Sequence, residues 1–103
     1  MANKIVIVED DRAVQLMYKL KLEHEGFQVA VASNGQEGLT LAEEFMPGLI
    51  LLDLRMPIMN GTEMLTRLRE TEWGSDMRVI ILAQYQQARS PTSAPVLTCR
   101  QIY

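Results

Sequence analysis

Four short apolar runs, each closed by polar or turn-forming residues, set the rhythm of the chain. Lys4-Ile-Val-Ile-Val8 is β-branched and stops abruptly at Glu9, Asp10 and Asp11, the pattern of a strand buried on both faces. Ala13, Leu16, Met17 and Leu20 then recur at helical spacing, which predicts a first helix with these four as its apolar face and Gly26 as its stop. Phe27 to Val31 reads as a second strand, and Ser33-Asn34-Gly35 suits a turn and a helix N-cap. Leu39, Ala42, Phe45 and Met46 predict the inward face of a second helix, ended by Pro47-Gly48. Leu49-Ile-Leu-Leu52 is a third strand that again stops at an acid, Asp53. Pro57 and Asn60-Gly61 punctuate the loop after it, Met64, Leu65 and Leu68 mark a third helix reaching to Glu72, and Val79-Ile-Ile-Leu82 is a fourth strand.

Strands alternating with helices indicate right-handed crossovers and a parallel sheet covered on both faces. From Gln84 onward the pattern breaks. Tyr85 to Tyr103 has no apolar helical face, carries Pro91 and Pro95, and offers only Val96 to Thr98 as a weak strand. The expected organisation is therefore a domain over residues 1–84, incomplete after its fourth strand, and a tail over 85–103 that adds or exchanges an edge strand.

Composition narrows the function classes. At 103 residues one domain is expected, and no apolar run exceeds five residues, far short of the roughly 20 that cross a bilayer. Met1 to Lys4 leads straight into a strand without a secretory signal, and the single Cys99 has no internal disulfide partner, so a cytoplasmic setting is expected. A net charge of −3 without a Lys/Arg cluster argues against direct nucleic-acid binding. His24 suits the C-terminal end of the first helix, where the dipole favours a cation, while Trp73 and Met46, Met56, Met64 and Met77 read as packing residues.

The chemistry concentrates where strands end. In open α/β sheets ligands bind at the carboxyl edge, beside the point where strand order reverses. If the first and third strands are neighbours there, Glu9, Asp10 and Asp53 converge. Converging carboxylates repel, and a hard divalent cation or a shifted proton relieves them; Mg²⁺ suits a site of few carboxylates, waters and a phosphate. Asp53, isolated at the end of an apolar strand, is the better nucleophile toward phosphorus. The plainer alternative is structural: Asp10 or Asp11 caps the first helix and Asp53 is a turn residue.

Ile5-Val-Ile-Val-Glu-Asp-Asp11, with Leu51-Leu-Asp-Leu-Arg-Met-Pro57 and Asn60-Gly61, resembles the receiver domains of two-component response regulators over residues 4–84. The resemblance implies a flavodoxin-like α/β fold, a phosphoryl group accepted on Asp53 from a sensor histidine kinase, and Mg²⁺ held by Asp10, Glu9, Asp53 and the backbone carbonyl of Arg55. It implies no turnover enzyme beyond the domain's own phosphorylation and dephosphorylation. Two features depart from the pattern. The Ser or Thr expected after the fourth strand is Ala83, and no Lys stands late enough to pair with a phosphate, the lysines being Lys4, Lys19 and Lys21. Impaired switching is expected from both. A sheet that ends at its fourth strand leaves an apolar edge, so a homodimer or segment-swapped dimer is expected as well. The alternative is a degenerate, non-phosphorylated receiver that acts as an interaction module. A haloacid dehalogenase type of hydrolase is disfavoured because it needs an acid where Arg55 stands.

Overall fold

A computed structural model describes residues 3–54, 56, 58–83 and 98–102. The elements are β1 (Lys4–Val8), α1 (Arg12–His24), β2 (Gln28–Ala32), α2 (Gly35–Phe45), β3 (Leu49–Asp53), α3 (Gly61–Arg69), β4 (Val79–Ala83) and β5 (Thr98–Ile102). They form one sheet in the order β2-β1-β3-β4-β5. The first four strands are parallel, and β5 runs antiparallel to β4 with Ala83 opposite Thr98. Val96, the first residue expected in a late strand, lies outside the described residues.

Alternation along the strands sorts the core into two layers. Val6, Val8, Ile50, Leu52, Val79 and Ile81 pack with Ala42, Met64 and Leu68 of α2 and α3, while Ile5, Ile7, Leu51 and Leu82 pack with Tyr18 and Leu22 of α1. β1 and β3 are sealed on both sides because every apolar residue in their interiors finds a layer. Full burial of one such side chain contributes about 2 kcal/mol, so the two central strands anchor the edge where the acids sit.

Local signals fix the helix ends. The Asp11 side chain accepts from the Ala13 and Val14 amides at 2.9 and 3.2 Å, which makes it the N-cap of α1. At the other end Gly26 has φ of 99°, with its amide on the Glu23 carbonyl and the Phe27 amide on the Leu22 carbonyl. That double bond is a Schellman stop, and Phe27 and Leu22 share the layer beneath it. Asn34 and Asn60 cap α2 and α3 by accepting from the Glu37 and Glu63 amides.

Three sequence expectations need correction. The apolar face predicted for α1 points to solvent: Leu16, Met17 and Leu20 are 53, 50 and 57% exposed, and Ala13 is exposed too. The inward side carries Gln15, Tyr18 and Leu22 instead, because Asp11 and Gln15 are held at the end of β1 and that contact sets the rotation of the helix. Met46 is half exposed rather than inward; it caps α2 in the left-handed region at φ of 48°, which swings it off the helix face. Finally α3 ends at Arg69, short of Glu72, because Thr71 and Arg69 tie down the following turn through Leu68 and Gly74. Trp73, in that connection, packs against the α2/α3 layer. Among the described residues no helix is long and apolar enough to cross a membrane.

Candidate acidic metal and phosphoryl site

Strand order reverses at β1, which lies between β2 and β3 and leads to crossovers on opposite sheet faces. Val8 and Leu52 are register partners, so the next residues on each strand, Glu9 and Asp53, emerge side by side at the carboxyl edge. Glu9, Asp10 and Asp53 each place a carboxylate oxygen within 4.8 Å of the others. Glu9 and Asp53 are 1 and 6% exposed, whereas Asp10 is exposed and forms the outer wall of the cluster.

Glu9 is the electrostatic centre of the group. Its carboxyl is pushed up to about 8, first by burial and then by the charges of Asp53 and Asp10, against the amide of Asp11 that favours ionisation. That amide donates to Oε2 at 2.9 Å, while Oε1 is buried without a hydrogen-bond donor. A buried carboxylate oxygen with no donor, beside two further carboxylates, is a poor arrangement for three anions alone. It fits a hard dication with oxygen ligands, whose charge would return Glu9 to its ionised form.

The backbone around the cluster is braced by residues that sequence reading passes over. Gln15 is buried, and its Nε2 donates to the Glu9 carbonyl at 2.9 Å and the Ala32 carbonyl at 3.3 Å, tying the ends of β1 and β2 to α1. A glutamine at a helical position opposite three apolar residues reads as solvent-facing, so no sequence signal marked it. Gly61 packs against the strand that ends in Asp53: a Cβ there would fall on the Asp53 carbonyl oxygen and 2.7 Å from the Leu54 Cα, and its amide donates to the Leu54 carbonyl at 3.0 Å. Asn60-Gly61 signals a turn in sequence, but the close approach belongs to the fold.

Of the other predicted positions, Arg55 lies outside the described residues. Ala83 closes β4, the strand that pairs Leu82 with Asp53, so its backbone stands at the same edge of the sheet. Asp11 serves as the cap of α1 and is not part of the three-carboxylate group.

The family model of the response regulator receiver domain matches residues 5–97. The transcriptional regulatory protein SrrA of Staphylococcus aureus is 46% identical over 70 residues, which cover 68% of this chain and 29% of SrrA. The chain thus matches less than a third of the length of this relative. Among solved structures, the N-terminal domain of a response regulator receiver protein from Methanoculleus marisnigri JR1 superposes with a TM-score of 0.76 at 29% identity, covering 80% of this chain and 67% of that one. A receiver domain protein from Methanospirillum hungatei JF-1 gives 0.75 at 33% identity, covering 85 and 69%. With its sheet order, its acidic edge and these relatives in agreement, the chain belongs to the response regulator receiver domain family.

Proposed function

We propose that this domain accepts a phosphoryl group on Asp53 with the help of Mg²⁺, the donor being the phosphohistidine of a sensor histidine kinase. The observation that carries the reading is the meeting of Glu9, Asp10 and Asp53 around a buried carboxylate oxygen that has no donor. Glu9, Asp10, Asp53 and the backbone carbonyl of Arg55 would hold the ion. Bound there, Mg²⁺ supplies positive charge that offsets the carboxylates and the oxygens of an incoming phosphoryl group. An oxygen of Asp53 attacks phosphorus and forms the new O–P bond; the P–N bond to the donor imidazole breaks, and its electron pair remains on that nitrogen. Asp53 is held for this by its pairing with Leu82 in the β3/β4 ladder, and Gly61 keeps the backbone behind it closed.

Ala83 has no hydroxyl to bond a phosphoryl oxygen, and no lysine follows it in the sequence. Phosphorylation in this reading is slow and its conformational signal weak. We place the receiver function in residues 1–84, with 85–103 as an added or exchanged edge segment, and we take the working unit to be a homodimer. SrrA is a transcriptional regulatory protein, and output through transcription is carried to this chain only as part of this proposal.

The test is incubation of the chain with a small-molecule phosphodonor and Mg²⁺, followed by intact mass spectrometry. One added phosphoryl group, lost in Asp53→Asn and on removal of Mg²⁺ with a chelator, is the expected result. A folded protein that takes up no phosphoryl group would instead be a degenerate receiver acting through protein contacts.

A further inference from the structure

We propose that the outward face of α1 is a contact between two copies of this chain, with the two α1 helices packed antiparallel about a two-fold axis. The proposal rests on the homodimer reading above and gives that dimer its surface. Leu16, Met17 and Leu20 are each at least half exposed and lie together on one side of a 13-residue helix whose other side is committed to the sheet through Tyr18 and Leu22. Among the described residues α1 is the single helix on its face of the sheet; α2 and α3 cover the other. One exposed leucine is ordinary, but a contiguous stripe of three large apolar side chains is the mark of an interaction surface.

Charge along one flank of the stripe selects the occupant. Arg12 and Glu23 are eleven residues apart, about three helical turns, so they project within roughly 20° of each other on the same flank. A two-fold axis through the middle of the stripe, between Leu16 and Met17, turns the second helix end for end. It sets Arg12 within about 3 Å, along the helix axis, of Glu23 of the partner subunit, and the symmetry makes the contact twice. Within its own helix Glu23 is held by Lys19 at 2.9 Å, an exposed pair that keeps the carboxylate on this flank. Parallel pairing would put the two Arg12 flanks on opposite sides of the interface and leave Arg12 about 16 Å, along the axis, from Glu23 of the partner subunit. The stripe and its flank are thus self-complementary in the antiparallel arrangement.

The apolar area offered is on the order of a few hundred Å² per copy, below the about 800 Å² per partner of a standard interface, so the dimer is weak, with a Kd of roughly 0.1 mM. Sedimentation equilibrium of the full chain from about 10 µM to about 1 mM reads it directly. Expected are reversible dimerisation, at least about tenfold weakening in Leu20→Lys, weakening in Arg12→Glu and in Glu23→Arg alone, and recovery in the Arg12→Glu/Glu23→Arg double variant. Circular dichroism establishes that each variant is folded. A chain that stays monomeric over the range, a dimer indifferent to Leu20→Lys, or a double variant no better than the singles would each overturn the proposal. The second of these outcomes would assign the contact to another surface, such as an exchanged β5. None of these readings depends on phosphoryl uptake by Asp53, so either idea can fail while the other stands.

Discussion

The side-chain amide of Gln15 donates to the backbone carbonyl of Glu9 at 2.9 Å, across the turn that joins β1 to α1. One nitrogen thereby sets two things: the height of the acidic residues above the end of the sheet, and the rotation of α1 that sends Leu16, Met17 and Leu20 outward. The same nitrogen reaches the Ala32 carbonyl at 3.3 Å, so β2 is included in the brace.

Replacing Gln15 by Leu keeps the volume and removes the side-chain donor from the Glu9 carbonyl, while the Ala32 carbonyl keeps the Glu9 amide at 3.0 Å. Such losses cost about 1–3 kcal/mol, and the melting temperature should fall by roughly 4–8 °C for each kcal/mol in a domain of this size. The more telling expectation is at the site. At a temperature where both proteins are folded, Mg²⁺ affinity should drop about tenfold, the scale seen when groups that orient metal ligands are removed. Calorimetric titration with Mg²⁺ measures it, and an unchanged affinity alongside lost stability would show Gln15 to be a core residue only.

The Glu9 carboxyl, raised to about 8, gives a pH signature with a definite sign. Between the unfolded value near 4.5 and about 8 the native state keeps a proton that the unfolded chain releases. Without metal, this group's contribution to stability is therefore full below pH 4.5 and is lost as pH rises through the window up to about 8. Mg²⁺ needs the ionised form, so binding expels the proton and affinity should climb with pH, by up to about tenfold per unit, until it levels near pH 8. Calorimetry in buffers of different ionisation enthalpy should record close to one proton released per ion at neutral pH. Glu9→Gln should abolish that release and flatten the pH dependence of metal-free stability.

Much of this architecture is legible in the chain itself. β1, β3 and β4 are apolar on both faces, and such runs have few other stable placements; Asp53 stands out because an acid ends one of them. Asp11 and Asn34 announce helix starts, because their side chains satisfy amides that the helix leaves open, whereas Asn60 reads as a turn and its capping of α3 belongs to the structure. The face of α1 is not legible. Apolar periodicity assumes that apolar residues point inward, and here a polar residue does so because it finds two carbonyls to bond. The extent of β5 is not legible either: a weak edge strand is expected at Val96 to Thr98, whereas the strand described is Thr98-Cys-Arg-Gln-Ile102, which has neither an apolar run nor alternation to distinguish it. The meeting of Glu9 and Asp53 follows from the strand order, which the resemblance supplies and periodicity alone does not.

Gly61→Ala tests how closely α3 must approach the strand carrying Asp53. An added Cβ would sit 2.7 Å from the Leu54 Cα and against the Asp53 carbonyl, all of it backbone that cannot rotate away. Overpacking of this kind costs about 1–3 kcal/mol, and part of the relief should come from displacement of Asp53. Chemical denaturation should show the loss, and phosphoryl uptake from a small-molecule donor should slow even where the variant remains folded. Uptake at the parental rate would mean that α3 alone moves and Asp53 stays in place.

Ile58 occupies the left-handed region at φ of 42° while 76% exposed, in the loop that follows β3. A β-branched residue there pays about 1–2 kcal/mol in steric strain, and its side chain recovers little because most of it faces water. Asparagine tolerates this conformation through local hydrogen bonding without the added chain entropy of glycine. Ile58→Asn should therefore raise stability by about 1 kcal/mol, or roughly 4–8 °C in melting temperature, whereas Ile58→Val, which keeps the branch, should give no gain. Thermal unfolding of the two variants beside the parent chain separates the outcomes. Stabilisation by Asn that leaves Mg²⁺ affinity unchanged would show that the strain is local to the loop; an affinity that falls as stability rises would show that the strained turn holds the loop beside the acidic site.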